Sequence, residues 1–171
     1  MVLAIKRIEK VEQSKVRYVM EKIAIQNGKV LRLANVLIKK LYSVTLLELD
    51  EAMNQMMQFI DVTGIQTCGP LITHVKGSYV TASGEVTVDY DMMIQTIGLT
   101  HIGGYDVKET YKTGKCLYTH FDGVVDDFHF AQNKLALYAW ENEILTTGEE
   151  YIVYIENDGF HLIADIFRPV K

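Results

Sequence analysis

Residues 150–168, EYIVYIENDGFHLIADIFR, read as two apolar strands hinged on Asn157-Asp158-Gly159. An Asp-Gly pair suits the positive φ of a tight hairpin turn, so the chain closes on an antiparallel hairpin. The second strand carries one residue out of keeping with its neighbours. Asp165 stands in LIADIF, and period-two alternation puts it on the same face as Ile163 and Phe167. A carboxylate among apolar neighbours loses hydration, so it must find a donor or a cation, take a proton, or line a pocket.

The same pattern occurs earlier in the chain. LITHVK (71–76) and EVTVDYDMMI (85–94) flank Ala82-Ser83-Gly84 and predict a first hairpin. Superposing VTVDYDMMI on FHLIADIFR sets Asp91 against Asp165, with Asp89 one alternation before Asp91. Each hairpin follows a predicted helix. Thr45 with Glu48 forms a capping box ahead of Leu46, Leu49, Met53, Met56 and Ile60, and Gly64 supplies the stop. The second helix is expected over about 125–145, with Phe128, Ala131, Leu135, Tyr138 and Ala139 on one face and Thr147-Gly148 at its end.

A strand precedes each helix: KVLRLANVLIKKL (29–41), entered from a tight turn at Asn27-Gly28, and KCLYTHF (115–121). The expected fold is therefore α+β, a pseudo-twofold tandem repeat of β-α-β-β units forming an antiparallel sheet with two helices on one face. Residues 29–171 make one domain, in halves 29–97 and 106–171 joined by a glycine-rich connector that has room for a short strand. Residues 1–28 form an extension whose mixed periodicity favours a helix.

Composition narrows the function classes. The 171 residues are 49% hydrophobic with a net charge of -5, which fits one folded domain and disfavours direct contact with nucleic acid or anionic lipid. Two cysteines, Cys68 and Cys116, no signal-like N-terminus and no long apolar run predict two free thiols in the cytoplasm, with no membrane association. Glycine-rich nucleotide fingerprints, GxSxG and HExxH are missing, so the chain reads as non-enzymatic, and no cofactor is expected. Cys116, His120, His129 and His161 are too scattered to predict a metal site. Two carboxylates on one strand face suggest a polar cleft walled by aromatics among Tyr118, Trp140, Tyr151, Tyr154 and Phe160.

LYTHFDG (117–123), ADIFRPVK (164–171) and VDYDMMI (88–94) resemble the GyrI-like family, which includes effector-binding domains of multidrug-sensing bacterial transcription activators. The resemblance covers about residues 30–171. It implies a stand-alone, non-catalytic member that binds a small apolar or cationic molecule between two pseudo-symmetric halves. The resemblance puts the acidic ligand contact on Asp165, and the reading of the residues adds Asp91 with Tyr118, Trp140 and Tyr154 as aromatic walls to the expected ligand-binding set. The family usually has glutamate where Asp165 stands.

Two alternatives accompany this reading. One is an accessory protein holding a protein partner, in line with a looser likeness to proteins encoded beside type VII secretion toxin genes. The other is a small-molecule hydrolase with Asp165 or Asp91 as general acid or base. The sequence leaves oligomeric state open.

Overall fold

The computed structural model describes residues 20–98 and 102–171. The elements run β1 (Ile25–Lys29), β2 (Arg32–Val44), α1 (Leu46–Thr63), β3 (Leu71–Val80), β4 (Val86–Gln95), β5 (Asp106–Lys112), β6 (Cys116–Val124), a 3-10 turn (Val125–Asp127), α2 (Phe128–Glu141), β7 (Glu150–Asn157) and β8 (His161–Pro169). The strands form one eight-stranded antiparallel sheet, ordered β1-β6-β8-β7-β3-β4-β2-β5. The fold is α+β, as expected.

Local chemistry accounts for the element ends. Thr45 accepts from the Glu48 amide at 3.3 Å, and the Glu48 carboxylate accepts from the Thr45 amide at 2.8 Å, closing the predicted capping box. Gly64, at φ 68°, ends α1 in the left-handed conformation that glycine tolerates. In the last hairpin the Asp158 carboxylate accepts from the amides of Phe160 and His161, and those bonds hold its carboxyl below the usual range.

The Asn27-Gly28 pair behaves differently from expectation. It lies inside β1, where the register against β6 shifts between Asn27 and Lys29, and Gly28 takes φ 84°. The residue pair that suits a tight turn here serves a bulge, because the flanking residues find a ladder partner in β6. The helical expectation for the N-terminal extension falls mostly on residues 1–19, outside the described residues; Ile25–Lys29 are strand.

Two short links force the sheet to curl. Lys29 reaches Arg32 through two residues and Lys112 reaches Cys116 through three, yet each link joins strands six places apart in the sheet. Six spacings in a flat sheet cover about 29 Å, whereas the links span at most about 11 and 15 Å. The two ends of the sheet are therefore drawn together over one face. That inner face holds a core of Leu31, Leu33, Val36, Ile38, Ile72, Met93, Cys116, Tyr151 and Phe167.

The other face carries both helices. α2 packs on β6 and β8, burying Ala131, Leu135 and Ala139 against Leu117, Phe121, Ala164 and Ile166. α1 packs on β2 and β4, where Leu49, Met56 and Ile60 meet Leu37, Tyr90, Met92 and Ile94. Among the described residues no helix is long and apolar enough to cross a membrane.

Candidate functional site

The sheet faces offer two different environments. On the helix side a groove of about 860 Å³ runs beside α1 over the middle of the sheet. Leu49, Asp50, Met53 and Met57 of α1 form one wall, β3 and β4 give the floor through Leu71, Thr73, Val75, Val88 and Tyr90, and β7 gives Ile152, Tyr154 and Asn157. The lining is mostly apolar. Among the described residues Asp50 is its one acidic side chain, and no basic side chain lines it.

Register explains how the floor is built. Thr73 pairs with Met92 on β4 and with Ile152 on β7, so Tyr90 and Tyr154 stand diagonally to either side of it on the same face. Burial pushes the Tyr90 and Tyr154 phenols above their ordinary range, and the Thr73 hydroxyl partly opposes it in both. The nearby Asp50 carboxyl pushes Tyr90 further the same way. Both phenols stay neutral at ordinary pH.

The inner face is polar at two places. Asp91 is 6% exposed and takes a 2.7 Å bond from Lys76 Nζ. Burial would raise its carboxyl, but His74 and Lys76 outweigh that and hold it below its ordinary value. The His74 ring stacks on Tyr151 with centroids 3.9 Å apart, and its nitrogens lie 3.6 Å from Asp91 and 3.5 Å from Glu149, just beyond hydrogen-bond reach.

Asp165 lies farther along this face. Its Oδ1 accepts from the Tyr118 hydroxyl and bonds His120 Nδ1, each at 2.8 Å. Burial, then the bond and charge of Asp165, push the Tyr118 phenol up to about 12.

The residues named from the sequence thus divide among three places. Asp91, Asp165 and Tyr118 share the inner face, Tyr154 lines the groove on the helix side, and Trp140 stands 78% exposed on α2. Sequence reasoning passed over Asp50, Thr73 and Tyr90. Tyr90 alternates visibly with Asp91, whereas Asp50 looks like any solvated helix residue until α1 is docked. Cys68 and Cys116 are free thiols, one exposed and one buried. Among the described residues no group of three or more His, Cys, Asp or Glu side chains could hold a metal ion.

No protein-family model and no curated protein matches the chain. Solved structures do. EcmrR in complex with DNA aligns over 98% of this chain at 15% identity and TM-score 0.63, and the chain spans 65% of that protein, just under two thirds. The EcmrR C-terminal domain alone aligns over 88% of this chain and 97% of its own, at 14% identity and TM-score 0.61. A hydrolase from Listeria innocua aligns over 95% of this chain and 98% of its own, at 9% identity and TM-score 0.54. SAV2435 bound to tetraphenylphosphonium aligns over 88% of this chain and 94% of its own, at 14% identity and TM-score 0.50. At these identities the likeness is one of fold, and at that level it agrees with the GyrI-like resemblance read from the sequence.

Proposed function

We propose that this chain, with the fold of GyrI-like domains, binds a small lipophilic cation in the groove between α1 and strands β3, β4 and β7. One observation carries the reading: an apolar groove of about 860 Å³ in which, among the described residues, the only charged side-chain type is the carboxylate of Asp50. Methionines 53 and 57 give an adaptable wall, and Tyr90 and Tyr154 give aromatic surface for a cation. The net charge of -5 favours approach of such a ligand.

The groove spans the boundary between the two proposed halves. Strand order read outward from the β3–β7 contact is β3-β4-β2-β5 one way and β7-β8-β6-β1 the other, which supports an approximate twofold axis there. In this reading Asp50 is the charge complement and Tyr154 a wall. Asp165, Asp91 and Tyr118 belong to the inner face, so they serve as the comparison.

SAV2435 was solved with tetraphenylphosphonium, which makes that cation the natural probe. Titration followed by calorimetry should show saturable binding, weakened roughly three- to tenfold by Asp50→Asn and unchanged by Asp165→Asn. Loss of binding in Asp165→Asn with none in Asp50→Asn would move the site to the inner face. Absence of binding to lipophilic cations in the wild-type chain would end the proposal.

A further inference from the structure

Thr73 is the oddity of the groove. It lines the cavity while only 1% exposed, and among the described residues its hydroxyl oxygen has no hydrogen-bond partner. A buried hydroxyl without a partner costs free energy that an apolar residue of the same shape would avoid. Valine would fill the same volume on a strand with better packing. Two more hydroxyls, those of Tyr90 and Tyr154, flank it diagonally on the same face. Both phenols feel the Thr73 hydroxyl but stand outside hydrogen-bond geometry with it.

We infer that Thr73 is the receiving point for an uncharged hydrogen-bonding atom of the ligand, so that the groove selects lipophilic cations bearing a hydroxyl, ether or carbonyl group. This rests on the cation-binding reading above. Asp50 lies on the exposed wall of α1 and Thr73 on the buried floor, which sets two different polar contacts at two depths of one apolar cavity. A ligand with charge alone meets the first. One that carries a polar atom on its buried end meets both, and pairs a hydroxyl that no described protein group pairs.

A matched pair of probes isolates the second contact. Tetraphenylphosphonium has a charge and no hydrogen-bonding atom, whereas its three singly hydroxylated isomers, with the hydroxyl ortho, meta or para on one ring, add a single donor and acceptor. At least one isomer should bind wild type roughly three- to tenfold more tightly than the parent. Thr73→Val should erase that preference, bringing the isomer-to-parent affinity ratio to about one, while Thr73→Ser should keep it. The melting temperature of Thr73→Val should not fall, since the substitution removes an unsatisfied group.

The outcomes separate cleanly. If the parent binds but no isomer gains, or if the gain survives Thr73→Val, the Thr73 contact is wrong and the cation site stands. If neither parent nor isomers bind, both fail together.

Discussion

The two halves of the sheet leave space on opposite faces. In the first half, α1 stands beside an open groove on the helix side while the inner face is closed around Asp91, His74 and Lys76. In the second half, α2 fills its side of the sheet through Ala131, Leu135 and Ala139, each 7% exposed or less, and the inner face leaves Asp165 and His120 within reach of solvent. The strand positions correspond. Asp91 lies between His74 on β3 and Lys40 on β2, and Asp165 lies between Val153 on β7 and His120 on β6. What differs is the set of neighbours, and the neighbours decide whether an acid becomes a locked structural group or an accessible one.

The largest expected effect tests the helix side. Leu135→Ala should cost about 4 kcal/mol, because it opens a cavity at a site with no solvent access. Leu49→Ala, beside a groove that is already open, should cost about 2 kcal/mol, since little new cavity forms. Equal losses in urea denaturation would break the contrast between a filled and an unfilled helix face.

The inner face gives the next test. Asp91→Ala leaves Lys76 and His74 facing each other without their carboxylate and should cost about 3 kcal/mol. Asp165→Ala removes two bonds from a more exposed carboxylate and should cost about 1 kcal/mol. If Asp165 proved the more costly of the two, burial would not be the quantity that separates them.

Acid sharpens the same contrast with the smallest effect. The Asp91 carboxyl is held below its ordinary value near 4, so the unfolded chain takes up its proton first as pH falls. Its contribution is therefore complete above about pH 4 and lost as pH drops through the folded value. Stability measured below pH 4 should fall less steeply in Asp91→Asn than in wild type.

Much of the architecture was legible from short-range signals. The capping box at Thr45 and Glu48, the stop at Gly64, and the turns before Glu85 and Phe160 all act over a few residues, and each sits where the spacing placed it. The Asn27-Gly28 pair misled for a related reason. Positive φ at glycine suits a turn or a bulge equally, and the choice between them depends on whether β6 lies alongside.

The site was less legible. Alternation correctly put Asp165 with Ile163 and Phe167 and aligned Asp91 with Asp165, but it could not say that this face is the inner one, enclosed by the curled sheet. Tyr154, part of an aromatic-rich strand, was named in advance and lines the groove. Asp50 and Thr73 were not, because a carboxylate on a helix and a threonine on a strand carry no local mark of sharing a cavity.

By itself, then, the sequence determined both helices, the strands of the two hairpins and those before each helix, their order, the apolar faces and the two matching acids, all of which follow from periodicity and turn chemistry within a few residues; β1 was not among them. Only the tertiary structure decided where space remains. The two short links at Val30-Leu31 and 113–115 close the inner face, and the way α1 docks leaves the groove open over Thr73, Tyr90 and Tyr154. Cavities belong to the gaps between elements, and no single element's sequence records the gap it will border.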